Sequence, residues 1–178
     1  MEDYSLLAAW LSNPDVAEFY EGRTNLYSLE MVINKFGPYA RGVEPITPCI
    51  IERGKEPIGY VQFYRSTPQE LKDFKLYEHA SLRNCKAVYG FDIFIGTPCR
   101  WGQGLGARII SLLAQFLFAH EHAELIVINP QTWNIRALRC YEKCGFQTLT
   151  ILPQYELHDG SLMDCAVMYL QTMPKTSL

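Results

Sequence analysis

The sequence predicts an α/β or α+β domain with a mixed β-sheet. Two patterns support this prediction: a β-hairpin in the first half of the chain, and a strand–helix–strand–helix–strand–strand order in the second half. The third observation is size, because 178 residues suit one hydrophobic core. We therefore expect residues 1–178 to form a single domain.

The first half of the chain contains two predicted helices and the hairpin. Residues 4–12 form a short amphipathic helical pattern. A second helix begins after the cap residue Ser28 and is expected to end near 37–38, where Gly and Pro follow one another. Residues 48–53 and 57–65 alternate and carry β-rich side chains, so they are predicted to pair across a glycine-containing turn.

The strongest strand candidate is 86–96, which follows a polar segment, 68–85, predicted as a loop with a helical turn. A turn containing three glycines comes next, and then a helix of about 15 residues. The apolar positions of this helix predict its buried stripe: Leu105, Ile109, Leu112, Leu113, Phe116 and Leu117.

Four further elements complete the predicted fold. Residues 125–128 form a short buried strand, and 134–144 form a helix that stops at Gly145, a residue suited to the position after a helix C-cap. Strands near 146–152 and 163–170 follow.

A formal charge of −3 argues against one class of function. Non-specific nucleic-acid binding relies on clustered Lys and Arg, so no nucleic-acid partner is expected. No apolar run reaches the roughly 18–20 residues of a membrane span, and the N-terminus lacks the layout of a signal peptide, so we expect a cytoplasmic protein without a membrane partner. Mild acidity suits a cationic small-molecule substrate. A monomer and a homodimer both stay open.

The six cysteines and four histidines show no metal-site pattern. Cys140 and Cys144 lie four apart in a predicted helix, but no partner cluster completes a site. We therefore expect no metal, and reduced, mostly buried thiols. The histidines are expected at the surface or at helix caps: His79, His120, His122 and His158.

Gly102, Gly104 and Gly106 alternate between the strongest strand and the long helix. Glycine lets a backbone adopt positive φ, and free N–H groups at a helix start favour phosphate or pyrophosphate. Ala107 and Arg108 follow where a P-loop needs Lys and Ser or Thr, and the glycine spacing does not fit a dinucleotide fingerprint. A tight turn that needs glycine for packing alone stays open.

A second block, Asn134–Phe146, follows the glycine turn. The two blocks together resemble the GCN5-related N-acetyltransferase (GNAT) superfamily, whose motifs are Gln/Arg-x-x-Gly-x-Gly/Ala and Asn-x-x-Ala-x-x-x-Tyr-x-x-x-Gly-Phe. Trp101 departs from the first motif, where Gln or Arg is usual. The likeness is closest to aminoglycoside 6′-N-acetyltransferases and runs over residues 5–170. The stretches that support it are 57–62, 89–96, 136–143, 156–160 and 164–165.

The resemblance implies a GNAT fold, in which helices flank a central mixed, mostly antiparallel sheet, with acetyl-CoA as the acetyl donor. It also implies acetylation of the 6′-amine of aminoglycosides, which confers resistance to these antibiotics. Two alternatives stay open. One is acetylation of another amine, such as a protein N-terminus, a lysine, a polyamine or a siderophore precursor; the other is an acetyl-CoA sensor without turnover.

Asp92 is the candidate general base. Its charge interrupts a hydrophobic strand, where a carboxylate is costly unless it is paired or functional. It matches the acid that the similar acetyltransferases use as a proposed base, which would bind a protonated amine and accept its proton. The alternative is an Asp that accepts hydrogen bonds from the N–H groups of a neighbouring loop.

Tyr141 is the candidate acid, because the resemblance places its phenol where it would protonate a departing thiolate. The alternative is a core tyrosine at helical spacing with Ile135, Leu138 and Cys144. Presence of both Asp92 and Tyr141 argues against the sensor without turnover.

The resemblance also assigns binding residues. Those for acetyl-CoA are Phe94, Ile95, Trp101, Gly102, Gln103, Gly104, Leu105, Gly106, Ala107, Asn134, Ala137, Tyr141 and Lys143. Those for the acceptor amine are Tyr20, Glu21, Gln62, Tyr64, Glu78, Asp92, Asn129, Asp159 and Asp164. Solvated surface charges are the alternative for the acids. Asn134 is also expected to cap its helix. Asn129 stands where some related enzymes carry Asp, a change expected to weaken binding of a polyamine ring or to shift which aminoglycosides are accepted.

Overall fold

The computed structural model describes residues 2–171, so the first residue and residues 172–178 of the predicted domain lie outside the described part. Within the described part, the α-helices are α1 Glu2–Leu11, α2 Pro14–Ala17, α3 Leu29–Ala40, α4 Pro68–Asp73, α5 Leu105–Ala119 and α6 Ile135–Lys143. The strands are β1 Ile46–Arg53, β2 Glu56–Arg65, β3 Val88–Ile95, β4 Leu125–Ile128, β5 Gln147–His158 and β6 Ser161–Gln171.

The described strands form a six-stranded mixed sheet in the order β1-β2-β3-β4-β6-β5. β1 and β2 pair antiparallel as the predicted hairpin, and β4 and β6 also pair antiparallel. β3 and β4 pair parallel, with Val88 opposite Leu125. A parallel pair needs a long crossover connection, which α5 supplies between these two strands. The mixed sheet with its helices confirms the predicted fold class.

The chain folds into two compact units, each with its own hydrophobic core. The first comprises the described residues up to Tyr64, with Phe91–Leu105 and Leu157–Leu162, and the second comprises Arg65–Gly90, Gly106–Glu156 and the described residues from Met163. The single domain expected from chain length stays a prediction.

The core of the first unit is rich in aromatic rings. The Tyr60 ring centroid lies 5.3 Å from that of Phe36 and 5.7 Å from that of Phe94. Trp10 meets Phe94 edge to face, with 6.1 Å between the centroids. Such aromatic pairs contribute about 0.5–1.5 kcal/mol each beyond their burial. This packing holds β2, β3, α1 and α3 together around Tyr60 and Phe94.

The core of the second unit is mainly aliphatic. Leu125 and Val127 of β4 pack in one cluster with Val167 of β6 and with Leu71 and Phe74 from the α4 region. β4 is buried along its whole length, as its short continuous apolar run predicts.

The long helix α5 buries a different face from the predicted one. Its buried residues are Ile110, Ala114 and Leu117, whereas Leu112 is 66% exposed and Phe116 is 41% exposed. Of the predicted stripe, only Leu117 is fully buried. The polar residues Arg108, Ser111 and Gln115 recur at helical spacing and mark the exposed face, on which Leu112 also lies, so the polar positions indicated the buried face better than the apolar stripe did.

The predicted end of α3 was also wrong. The helix continues through Pro38 to Ala40, and Ser28 caps its start by accepting a hydrogen bond of 3.2 Å from the Met31 N–H. Proline normally disfavours a helical conformation in the residue before it because of a clash with that residue's Cβ. The preceding residue is Gly37, which has no Cβ, so the helix can continue for one more turn.

Three further expectations need correction. β5 extends to His158 and β6 begins at Ser161, because the polar stretch of the sheet-edge strand β5 resembles a loop in sequence. All six cysteines are free, but only Cys165 is buried. His158 is buried rather than at the surface.

Among the described helices, none is both long and apolar enough to cross a membrane.

Candidate active site

Strand β3 carries the candidate base in the first unit. Asp92 is half-buried and follows the buried ring of Phe91. The Gln62 side chain on β2 donates a hydrogen bond of 2.8 Å from Nε2 to Asp92 Oδ2. The sequence predicted that this charge is either paired or functional, and Gln62 on the neighbouring strand is one hydrogen-bond partner.

Tyr60 joins this group, although it was not among the sequence candidates. Its hydroxyl donates a hydrogen bond of 2.8 Å to Gln62 Oε1. Burial, and after it the Asp92 charge, raise the pKa of Tyr60, so the phenol stays protonated and can donate. Alternate residues of a strand share a face, so the spacing of Tyr60 and Gln62 was the signal that could have revealed it.

Tyr20 lies beside the same carboxylate. Its ring centroid is 4.8 Å from that of Phe94. Burial, followed by the charge of Asp92, raises the pKa of Tyr20 well above its ordinary value. The first unit therefore brings together three of the acceptor-binding candidates: Tyr20, Gln62 and Asp92.

Glu21, a fourth candidate, is already engaged within the chain. Its carboxylate forms an ion pair with Lys35 Nζ, which also donates a hydrogen bond of 3.0 Å to Tyr27 Oη. Lys35 Nζ lies over the Tyr20 and Tyr27 rings, 5.8 and 5.3 Å from their centroids. Burial alone would lower the pKa of Lys35, but the hydrogen bond and the charge of Glu21 raise it, so Lys35 is charged at neutral pH. Sequence analysis missed Lys35 because no local pattern links it to Glu21.

The glycine turn has the geometry of an anion site. Gly102 and Gly104 have φ of +75° and +73°, the left-handed region that favours glycine. In the described part of the chain, the backbone N–H groups of Gly102, Gln103 and Gly104 donate to no protein acceptor. They precede Leu105, where α5 begins, and a helix start attracts negative charge.

Trp101, the residue that departs from the family motif, packs within the first unit. Its indole Nε1 donates a hydrogen bond of 2.9 Å to the Ile95 carbonyl at the end of β3. Its ring meets Phe19 edge to face at 5.8 Å. The Gln103 side chain, similarly, donates to the Cys99 carbonyl at 3.0 Å. The polar groups of these two side chains are thus engaged within the turn.

The third glycine has a different role. A Cβ on Gly106 would lie 3.2 Å from the Cys140 Sγ of α6. The Cys144 thiol on the same helix donates to the Ala107 carbonyl at 3.4 Å. Gly106 therefore lies where α5 packs closely on α6, which is the packing explanation that the sequence left open.

Helix α6 carries the remaining donor-side candidates in the second unit. Asn134 caps it by accepting a hydrogen bond of 3.1 Å from the Ala137 N–H, and Gly145 ends it with φ of +90°. Tyr141 is 9% exposed, and its ring centroid lies 5.6 Å from that of Phe146. Lys143 is exposed in the last turn. The ring of Tyr141 thus packs as a core residue does.

The other acceptor candidates lie in varied environments. Asp159 accepts hydrogen bonds from the Arg23 and Thr24 N–H groups and from the Thr24 hydroxyl, at 2.7–3.0 Å. Asp164 Oδ1 accepts from the Gln154 N–H at 2.8 Å. Both carboxylates therefore accept hydrogen bonds from backbone N–H groups of other segments of the chain. The remaining candidates are Tyr64, half-buried on β2, Asn129, half-buried after β4, and Glu78, exposed in a 3-10 turn.

The family follows from comparison with known proteins. Residues 1–152 match a family model described as an acetyltransferase (GNAT) domain. The chain belongs to the GNAT acetyltransferase family. A curated relative of this GNAT chain from Klebsiella pneumoniae, aminoglycoside N(6′)-acetyltransferase type 1, is 30% identical over 145 residues, which are 82% of this chain and 69% of that protein.

Solved structures have the same fold as this GNAT chain. Aminoglycoside acetyltransferase AAC(6′)-Ib, in complex with coenzyme A, is 25% identical with a TM-score of 0.73, and the match covers 96% of this chain and 90% of that chain. A spermidine N-acetyltransferase from Vibrio cholerae, in complex with CoA and spermine, has the same TM-score at 17% identity, which shows the fold alone.

This GNAT chain is therefore an acetyltransferase, and the acetyl donor of such enzymes is acetyl-CoA. The glycine turn fits the phosphate groups of acetyl-CoA, because the backbone N–H groups of residues 102–104, next to the start of a helix, have no acceptor among the described residues. Among the described residues, no cluster of His, Cys, Asp and Glu could hold a metal ion.

Proposed function

We propose that this acetyltransferase acetylates the 6′-amine of aminoglycosides, and that this reaction confers resistance to these antibiotics. The observation that carries the proposal is the 30% identity, over 82% of this chain, to a protein named aminoglycoside N(6′)-acetyltransferase. A shorter relative from Rhizobium radiobacter, named kanamycin resistance protein, is 37% identical over 60 residues. The acid and aromatic side chains around Asp92 suit a polycationic acceptor.

The acceptor amine must lose a proton before it can attack. In our proposal, Asp92 holds the ammonium group by a charge-assisted hydrogen bond and accepts its proton. The neutral nitrogen then forms a C–N bond with the thioester carbonyl carbon, and the C–S bond breaks. The departing thiolate needs a proton, which we assign to the Tyr141 hydroxyl. The acylated nitrogen loses its second proton, and the Tyr141 phenolate takes up one proton from solvent in its turn. The hydrogen bond from Gln62 keeps Asp92 oriented and charged.

The donor side of the proposal uses the turn before α5. We propose that the N–H groups of Gly102, Gln103 and Gly104, with the first turn of α5, bind the pyrophosphate of acetyl-CoA. The other donor-side candidates keep the roles that the resemblance assigns them, Asn134 by contact with the pantetheine arm. Glu21 is not expected to bind the acceptor while it is paired with Lys35.

A thiol-release assay with acetyl-CoA tests the substrate. The panel contains kanamycin, an aminoglycoside with a 6′-hydroxyl in place of the amine, spermidine and a lysine-containing peptide. We expect release with kanamycin and none with the 6′-hydroxyl compound. Release only with spermidine or with the peptide would contradict the proposed substrate while leaving the acetyltransferase assignment intact.

We also propose that the chain acts in the cytoplasm. Its six cysteines, all free, suit a reducing compartment. Fractionation of cells that express the protein tests this location. Light scattering of the purified protein separates a monomer from a homodimer.

A further inference from the structure

A chain of three hydrogen-bonded side chains, Tyr60–Gln62–Asp92, runs through the aromatic core of the first unit. The Tyr60 side chain is 1% exposed and the Gln62 side chain 6%. Both links are 2.8 Å long, from Tyr60 Oη to Gln62 Oε1 and from Gln62 Nε2 to Asp92 Oδ2. We call these three residues the polar chain.

The polar chain has a fixed direction. A phenol carries one proton to donate, and Tyr60 gives it to the amide oxygen of Gln62. The amide nitrogen must then face Asp92, whose ionised carboxylate can only accept. A flipped amide would turn an oxygen toward the carboxylate, lose the hydrogen bond and add repulsion. The Asp92 carboxylate thus requires this amide orientation, and the hydrogen bond that Tyr60 donates to the amide oxygen holds the amide in it.

The position of the Tyr60 hydroxyl is set by packing. The ring lies between those of Phe36 and Phe94, which hold it at centroid distances of 5.3 and 5.7 Å. Because these neighbours are buried, the ring cannot turn away without disturbing the core. The hydroxyl therefore stays in one place and fixes the position of the Gln62 amide oxygen to which it donates.

Stability alone does not explain a polar chain in this place. Replacing buried hydrogen-bonded partners together by apolar groups of similar shape is often neutral or stabilising. Among the described residues, no buried side-chain nitrogen or oxygen lacks a hydrogen-bond partner, so each buried polar atom of the polar chain has at least one partner. A requirement that Asp92, at the end of the polar chain, stays charged and correctly oriented would explain why these side chains are polar.

We propose that Tyr60 is a positioning residue for the reaction, acting through Gln62 to orient Asp92 and keep it ionised. The proposal rests on the proposed role of Asp92 as the general base. It adds a residue that is fully enclosed by the core and contacts neither substrate.

The first test is Tyr60→Phe, which removes only the hydroxyl and keeps the ring. With an amine that the wild type acetylates, we expect kcat to fall by about tenfold to a hundredfold, since misplacing a reacting group by about 1 Å costs up to about a hundredfold. We expect the KM for acetyl-CoA to stay unchanged. Tyr39→Phe, a half-buried tyrosine packed on the same core, is the matched control and should keep wild-type kcat.

The pH profile separates positioning from a packing effect. Without the fixed amide, the charged form of Asp92 loses a hydrogen bond, so its pKa rises. The acid limb of kcat/KM should therefore move to higher pH in Tyr60→Phe. The titratable neighbours whose pKa the Asp92 charge raises are Tyr20 and Tyr60 itself, and both stay protonated through this range. A packing defect would lower activity without moving the limb.

A double variant, Tyr60→Phe with Gln62→Leu, makes the interior of the polar chain apolar. We expect its melting temperature to match or exceed that of the wild type while kcat stays low and the acid limb stays shifted. Loss of activity that follows loss of stability across the variants would instead indicate a structural role and overturn the proposal.

The outcomes also separate this proposal from the one it rests on. An inactive Asp92→Asn combined with a Tyr60→Phe of unchanged kcat and unchanged acid limb would overturn the role of Tyr60 alone. An active Asp92→Asn would overturn the base assignment, and the role of Tyr60 with it. An unexpected acceptor in the panel would correct the substrate, and the same variants would then be measured with that amine.

Discussion

At the scale of single residues, the candidate chemistry depends on a carboxylate that stays charged beside aromatic rings. Asp92 has a hydrogen-bond donor in Gln62. Burial, and after it the Asp92 charge, raise the pKa of the Tyr20 and Tyr60 phenols, so both stay protonated. The nearby acid Glu21 is neutralised by Lys35. We therefore expect Asp92 to be the carboxylate that meets an incoming ammonium group in the first unit.

Replacing Asp92 by Asn tests this assignment. The amide keeps the shape of the side chain but cannot accept a proton, so kcat should fall by about a hundredfold or more. Calorimetric titration should show unchanged acetyl-CoA affinity. Asp73→Asn, an exposed acid on α4, is the control. Near wild-type turnover in Asp92→Asn would remove this residue from the mechanism.

Tyr141→Phe tests the candidate acid. The ring is 9% exposed and packs against Phe146, so the variant should fold normally. If the hydroxyl protonates the departing thiolate, kcat falls while the KM values change little. Steady-state kinetics with both substrates measure the split. An unchanged kcat would leave Tyr141 with its packing role alone, and Tyr169→Phe serves as a comparison on β6.

At the scale of elements, the turn before α5 and the loop before α3 are held in different ways. The turn depends on left-handed backbone at Gly102 and Gly104 and on Trp101, which bonds to the end of β3. The loop at Arg23 and Thr24 is held by a carboxylate from the β5–β6 turn, about 135 residues away in sequence.

Two glycine substitutions distinguish conformation from packing in the turn. Gly104→Ala places a side chain in left-handed backbone and should cost about 1–2 kcal/mol of unfolding free energy, with a raised KM for acetyl-CoA. Gly106→Ala brings a Cβ within 3.2 Å of Cys140 Sγ, and the gain in helix propensity of about 1 kcal/mol offsets the crowding. Adding Cys140→Ala should relieve that crowding. Urea unfolding measures all three variants. A larger cost for Gly106→Ala than for Gly104→Ala would contradict the expectation that helix propensity offsets the crowding at Gly106.

The Asp159 contacts predict a pH dependence of stability. Hydrogen bonds from the Thr24 hydroxyl and N–H and from the Arg23 N–H lower the pKa of Asp159 in the folded state. The charged form is therefore favoured by folding, and its stabilisation is present above the ordinary pKa of 3.8 and lost as pH falls through the lower folded value. Asp159→Asn should lose stability near neutral pH, and the difference should shrink below about pH 4. Urea unfolding between pH 7 and pH 3 measures it, and a constant difference would contradict the argument.

At the scale of the whole molecule, two hydrophobic cores coexist in a chain whose length predicts one domain. The core of the first unit is built largely from aromatic rings, and that of the second mainly from aliphatic side chains around β4. Each unit contains residues from separate parts of the chain, so neither can form from one continuous segment. We therefore expect the two cores to unfold together.

Leucine substitutions in the two cores test this expectation. Leu11 and Leu125 are both fully buried, one in each core. Either Leu→Ala change should cost about 2–5 kcal/mol. Calorimetry should show one transition that both variants move to lower temperature. Two transitions, each moved by only one variant, would contradict the single domain.

The sequence by itself determined the features that depend on residues close together in the chain. The Ser28 and Asn134 caps, the glycine that ends α6 and the order of elements all follow local propensities and matched the structure. The two family motifs are also local, since each spans one turn or one helix. The acetyltransferase family could therefore be recognised before any contact was known.

The tertiary structure decided which distant groups meet. It paired Asp92 with Gln62, thirty residues away, and placed the Asp159 carboxylate against the backbone N–H of Thr24. None of these partners has a local signal, because a helix or strand pattern specifies a face and leaves open what will cover it. Packing makes that choice, through the burial of apolar surface and the requirement that every buried polar group finds a partner.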